Sequence, residues 1–223
     1  MVLAIVQSDI GAPVHGELYS PAGNRAPAII LAHEWWGLND QMRGLARRFA
    51  AEGFHALALD LYGGKVTADP DEAMALSIDM KTSDAIAQIQ AATDWLKTYR
   101  LCTGKVGVTG FCLGGAMAMA AACNVRGLHA VAPFYGLPLA QFADWSKVEA
   151  PIQGHYAKHD HYVQNDRLPA IQAAVQAAGG HAEFFLYEAG HAFLRETDPA
   201  TYDAEAAALA WTRVVGFFQR NLG

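Results

Sequence analysis

The sequence predicts an α/β protein, a mostly parallel sheet with helices on both faces. Three observations carry that prediction. Short apolar, β-like runs alternate with longer segments of helical periodicity along most of the chain. The run from Ala28 to His33 is apolar without alternation, as in a strand buried on both faces. No internal repeat, low-complexity tract or long Pro/Gly/Ser linker breaks the 223 residues, so one domain over 1–223 is expected.

The elements follow in order. Ala28 to His33 is the first expected strand. Asp40 to Ala51 reads as a helix, with Asn39 or Asp40 as cap, Met42, Leu45, Ala46 and Phe49 at helical spacing, and Gly53 as the stop. Phe54 to Leu59 is a strand; Asp71 to Met80 and Ser83 to Tyr99 are helices. Lys105 to Thr109 is a strand and Leu113 to Cys123 a helix. Leu128 to Phe134, Ile152 to Tyr156 and Ala182 to Leu186 are strands. Arg167 to Ala178 forms a helix ended by Gly179-Gly180, and Tyr202 to Gln219 forms a long amphipathic helix.

Composition narrows the function classes. Hydrophobic residues are 52% and charged residues 17%, which suits a globular enzyme and not a disordered chain. The net charge of −6 with no basic cluster argues against nucleic acid or an anionic membrane as partner. Cys102, Cys112 and Cys123 give no disulfide framework and fit a reducing compartment. Met1 to Asp9 lacks a charged leader and a long apolar core, and no run reaches membrane-spanning length. A cytoplasmic protein is expected.

The chemistry starts at Gly110-Phe111-Cys112-Leu113-Gly114-Gly115. Strand, tight turn and helix place a reactive side chain at the apex, a nucleophile elbow of the G-x-S-x-G kind with cysteine for serine. Such a turn strains the nucleophile's backbone and brings strand and helix close, so small residues are needed at Gly110 and Gly114. The Leu113 N–H at the helix start can donate to an oxyanion, and the helix dipole favours a thiolate. The competing reading is an ordinary buried cysteine beside a glycine-rich turn. Cys102, expected in a loop before its strand, and Cys123, late in a helix, read as structural.

Two partners follow later strands in the order acid, then histidine: Asp160 in Lys158-His159-Asp160-His161 and His191 in Glu188-Ala189-Gly190-His191. Histidine would move the proton and aspartate would fix its tautomer. Each also has a plain reading, Asp160 as a loop cap and His191 as a surface histidine. His155, His159 and His161 crowd around Asp160, but their spacing matches no common zinc signature, so no metal is expected. His33-Glu34-Trp35-Trp36-Gly37 follows the first strand; Glu34 would sit near the elbow, and Trp35 or Trp36 could lend an oxyanion N–H. This is not a zincin motif, since no histidine follows three residues after Glu34.

Together the elbow, the Glu34 loop, Asp160-His161-Tyr162-Val163 and Ala189-Gly190-His191-Ala192-Phe193 resemble the dienelactone hydrolases (carboxymethylenebutenolidases), from about Tyr19 to Phe218. The resemblance implies an α/β-hydrolase fold and a small, monomeric, cofactor-free enzyme that opens a carboxylated unsaturated lactone in aromatic breakdown. It implies Cys112 as nucleophile, Asp160 and His191 as its partners, and Glu34 as a carboxylate that keeps the resting thiol protonated. A nearby carboxylate disfavours a thiolate, which gives that gate a physical basis. Arg195, four residues after His191, matches an arginine that binds the substrate carboxylate. Tyr135 matches a pocket-lining position, and Trp36 lies in the bulkier Trp35-Trp36 pair. Leu113 and Trp35 supply the oxyanion hole. The family's second carboxylate-binding arginine has no counterpart in the acidic segment Asp69 to Ala75, and Lys158-His159 replaces a smaller, less basic pair.

Three functions compete. The first is hydrolysis of a carboxylate-bearing lactone through a cysteine acyl-enzyme. The second is a broad carboxylesterase or thioesterase with the same Cys-Asp-His set, which the missing arginine favours. The third is a non-catalytic ligand-binding or thiol-redox module, against which that set of residues argues.

Overall fold

The computed structural model describes residues 3–8, 14–23 and 25–223. Of the stretch Met1 to Asp9, in which no signal segment is expected, Met1, Val2 and Asp9 lie outside the described residues. The described strands are β1 (Leu3–Ser8), β2 (Val14–Tyr19), β3 (Ala26–Ala32), β4 (His55–Leu59), β5 (Cys102–Phe111), β6 (Ala130–Phe134), β7 (Ile152–His159) and β8 (Ala182–Gly190). The helices are α1 (Asp40–Ala51), α2 (Pro70–Asp79), α3 (Thr82–Thr98), α4 (Leu113–Asn124), α5 (Leu168–Ala177) and α6 (Ala204–Leu222). One eight-stranded sheet runs β1-β2-β4-β3-β5-β6-β7-β8. β2 pairs antiparallel with β1 and with β4, and the remaining pairs are parallel. This is the α/β-hydrolase fold.

Strand side chains alternate between two cores. Ala28 and Ile30 of β3 belong to the core on the side of α2, α3, α4 and α5; Ile29 and Leu31 belong to the core on the side of α1 and α6. Both sets are fully buried, which is why β3 reads as a continuous apolar run. α4 is buried almost all round, with Met117 to Cys123 all inside, so its sequence is apolar on every face. Asn39 caps α1 by accepting from the Met42 N–H at 3.2 Å.

Three expectations change. The antiparallel pair β1–β2 lies outside the expected strand set; Gly16 in mid-strand weakens the β signal of Val14–Tyr19. Cys102 is the first residue of β5 instead of a loop residue. It pairs with Ala26 across a bulge, and the Arg25 guanidinium donates to its carbonyl at 2.8 Å. Gly104, at φ 89°, interrupts the β pattern and hides that extension. β7 and β8 also run beyond the expected ends at Tyr156 and Leu186, to His159 and Gly190. Among the described residues no helix is long and apolar enough to cross a membrane.

Candidate active site

Five adjacent parallel strands end in the residues singled out above. Across the sheet in the order β3, β5, β6, β7, β8, the chain delivers Glu34, Cys112, Tyr135, Asp160 and His191. The last four follow their strands immediately, and Glu34 is two residues beyond β3. Neighbouring strands lie about 4.8 Å apart, so these side chains gather along one edge, where open α/β sheets bind ligands.

Cys112 sits between β5 and α4 with φ 54° and ψ −112°. L residues seldom hold such a backbone, and it costs on the order of 1–3 kcal/mol. It is held from both sides: the Cys112 N–H donates to the Phe134 carbonyl at 3.1 Å, and its own carbonyl accepts from Ala116 at 3.0 Å. The turn closes only with glycine at its flanks. A Cβ on Gly110 would lie 2.0 Å from the Gly114 carbonyl oxygen, and one on Gly114 would lie 2.1 Å from that of Ala32. Cys112 is partly exposed, whereas Cys102 and Cys123 are buried. Leu113 opens α4, so its N–H has no acceptor within its own helix.

Positive φ marks two more non-glycine residues, Tyr135 at 35° and Ala192 at 60°. All such described residues thus lie at this edge, which is where backbone strain tends to collect. The strain at Ala192, inside the His191 motif, is a feature that sequence reading missed; alanine carries no signal for a left-handed conformation.

His191 is tethered to Asp160. Its Nδ1 lies 2.7 Å from Asp160 Oδ2, and the aspartate side chain is fully buried. The other carboxylate oxygen, Oδ1, accepts from the Tyr162 and Val163 N–H groups at 2.8 and 3.1 Å. Tyr135 and Tyr162 flank the imidazole at ring distances of 5.1 and 5.0 Å. Burial disfavours the charged ring, but the Asp160 hydrogen bond and the adjacent Cys112 sulfur outweigh it and push the pKa up to about 10. An open cleft of about 380 Å³ lies beside His191, lined by His159, His161, Tyr162 and Tyr202.

Glu34 is buried, and burial is the main cause that raises its carboxyl to about 7; Arg195, His191 and the Tyr135 hydroxyl oppose the rise. Its Oε2 faces Arg195 Nε at 3.9 Å. That is longer than a hydrogen bond, and both atoms are buried without a partner. The Arg195 guanidinium lies 4.9 Å over the Trp36 ring, and its Nη1 is 3.5 Å from Asp198. Trp36 packs edge-on to Trp35 at 4.8 Å. His33 clamps the Glu34 loop. Its Nε2 accepts from the Leu61 N–H at 3.1 Å and its Nδ1 is 2.6 Å from the Glu34 carbonyl. Two hydrogen bonds therefore fix a neutral tautomer with the proton on Nδ1. Burial also lowers the His33 pKa.

Tyr62 is a residue that sequence reading missed. Its buried hydroxyl has no partner, its ring lies 4.7 Å from that of His33, and burial, then the neighbouring Cys112, raises its pKa. Of the three histidines near Asp160, His155 lies apart from the other two. His155 stacks on Phe134 at 4.4 Å inside the sheet and meets the Tyr187 hydroxyl at 2.8 Å; burial lowers its pKa to about 3. His159 faces outward and pairs with Glu188 at 2.8 Å. Among the described residues no group of three or more His, Cys, Asp or Glu is placed to hold a metal ion.

Comparisons with known proteins identify the family and the fold. The profile of the dienelactone hydrolase family matches residues 14–222. The chain is 37% identical over 221 residues to Protein usf of Aquifex pyrophilus, covering 95% of each chain. It is 30% identical over 213 residues to a carboxymethylenebutenolidase of a Pseudomonas species, covering 91% of this chain and 88% of that one. Among solved structures, a dienelactone hydrolase-like promiscuous phosphotriesterase from metagenomic libraries superposes with a TM-score of 0.87 at 24% identity, covering 100% of this chain and 99% of that one. With 209 of its residues matched by the family profile, this chain belongs to the dienelactone hydrolase family and is a carboxylic ester hydrolase of the α/β-hydrolase fold.

Proposed function

We propose that the chain hydrolyses an ester or lactone through a thioester on Cys112. The observation that carries this reading is Cys112 on its strained turn beside a His191 held 2.7 Å from Asp160. His191 takes the proton from the Cys112 thiol as the sulfur attacks the carbonyl carbon, a C–S bond forms, and the carbonyl electrons move onto oxygen. The N–H groups of Leu113 and Trp35 hold that oxyanion, each such donor being worth on the order of 3 kcal/mol. The intermediate collapses, the ester C–O bond breaks, and His191 gives its proton to the departing oxygen. His191 then takes a proton from water, the hydroxide attacks the thioester, the C–S bond breaks to release the acid, and His191 returns the proton to the sulfur. Asp160 holds the imidazole orientation throughout. In a lactone the departing oxygen stays on the same molecule.

Two substrate readings share this chemistry. A carboxylate-bearing, unsaturated lactone of aromatic breakdown is supported by Arg195, whose unpartnered Nε faces the site beside Glu34. On that reading Glu34 holds the thiol in check until a substrate acid displaces it from Arg195, Tyr135 and Trp36 line the pocket, and the protein acts as a cytoplasmic monomer without cofactor. A broad carboxylesterase or thioesterase is favoured by α2. It brings acidic Asp71, Glu72 and Asp79, with no arginine, where the family has its second anion-binding cation. Turnover of an activated aryl ester by Cys112→Ala tests the shared chemistry. A loss of at least about 10³-fold in kcat/KM is expected; activity within tenfold of the parent rejects the mechanism.

A further inference from the structure

Arg195 is the cation of the site, and two carboxylates already flank it. Glu34 Oε2 lies 3.9 Å from Nε and Asp198 Oδ2 lies 3.5 Å from Nη1, while the flat face of the guanidinium covers Trp36. Asp198 is built into its turn. Its N–H donates to the Arg195 carbonyl at 3.0 Å, its carbonyl accepts from Thr201 and Tyr202, and Oδ1 accepts from the Ala200 N–H at 3.1 Å. Its side chain is 31% exposed, so solvent screens it only in part. Nearby, Thr67 donates to the Trp36 carbonyl at 3.1 Å. The segment it opens, 67–80, holds Asp69, Asp71, Glu72 and Asp79 and no lysine or arginine.

We propose that Asp198 is a specificity-determining residue that turns the Arg195 subsite from carboxylate-bearing substrates toward uncharged esters and lactones. The inference rests on the reading of Cys112 as the reacting group and decides between its two substrate classes. A substrate carboxylate that reaches Arg195 also meets Glu34 and Asp198. Where Glu34 is ionised, two carboxylates within 4 Å of Arg195 already offset its single charge, and Asp198 opposes an incoming anion on its own. A neutral carbonyl or ether oxygen meets no such penalty, and it supplies the acceptor that the buried Arg195 Nε lacks. Asp198 is local to Arg195 in the turn after His191, so one substitution here re-tunes the anion site without touching Cys112, His191 or Asp160.

The test alkylates Cys112 with iodoacetate, an anion, and iodoacetamide, its neutral counterpart. Cys102 and Cys123 are 1% and 3% exposed, so the label reports Cys112. Relative to glutathione, the parent protein is expected to disfavour iodoacetate. Asp198→Asn keeps an acceptor for the Ala200 N–H, and it should raise the iodoacetate-to-iodoacetamide rate ratio roughly 3–10-fold. Asp198→Ser gives the same readout should the amide perturb the turn. A parent that favours iodoacetate, or a ratio unmoved in both variants, overturns the inference. Turnover of 4-nitrophenyl butyrate and 4-nitrophenyl hemisuccinate is scored alongside, with the same shift expected in the ratio of kcat/KM. Because alkylation needs no turnover, failure of the hydrolytic reading shows as inert esters with the alkylation ratio intact. Failure of the Asp198 inference shows as active esters with a flat ratio.

Discussion

At the scale of single residues, Glu34 couples the charge state of the site to pH. Its carboxyl is raised from 4.5 to about 7, chiefly by burial. A carboxyl raised on folding contributes stability that is complete below its unfolded pKa and is lost as pH rises through the folded value. Between pH 5 and 8 the parent should therefore lose on the order of 3 kcal/mol relative to Glu34→Gln. Urea unfolding of both proteins at the two pH values measures this, and parallel curves would contradict it. His191, raised to about 10, loses its contribution over a higher window, above the ordinary histidine value of 6.5, and it is present in both proteins. On the proposed reading, the same ionisation adds a negative charge to the sheet edge that carries Cys112. Alkylation of Cys112 should thus climb more steeply above pH 7 in Glu34→Gln than in the parent; superimposable pH profiles would remove Glu34 from any gating role.

At the scale of elements, the elbow depends on how closely β5 and α4 pass β3. The Gly114→Ala methyl would fall 2.1 Å from the Ala32 carbonyl oxygen, which is backbone and cannot swing aside. A cost of about 3 kcal/mol or more is expected, with activity lost in parallel, since the strand that carries Glu34 must move. Denaturant midpoints check this, and a loss under about 1 kcal/mol would show that the contact is soft. The elbow was legible in the sequence because its requirement for small residues falls on fixed offsets from Cys112. β3 was legible because burial on both faces leaves an unbroken apolar run. β1–β2 and the start of β5 were not, because Gly16 and Gly104 interrupt their patterns and their pairing is decided by distant partners, Leu59 and Ala26. Tyr62, Ala192 and the Arg195–Asp198 contact were also hidden. The Tyr62 and Asp198 contacts arise from how loops fold over the sheet, and at Ala192, inside a motif that was read, the positive φ carries no residue signal.

At the scale of the molecule, the strand order makes the site. β3, β5, β6, β7 and β8 are neighbours in space though helices and loops separate them in sequence, so five loop-borne side chains converge on one edge. The order Cys112, Asp160, His191, each placed just after a strand of the sheet, was legible in the sequence, since parallel sheets expose their carboxyl ends together. The charge balance around Arg195 was not, because it depends on which carboxylates the completed fold brings within 4 Å. The central claim is that the sulfur of Cys112 carries the acyl group. Rapid acid quench during turnover of a slow activated ester, followed by peptide mass analysis, measures it most directly. One acyl increment is expected on the peptide containing Cys112 and none in Cys112→Ala; full turnover with no adduct, or an adduct on another residue, rules out the acyl-cysteine.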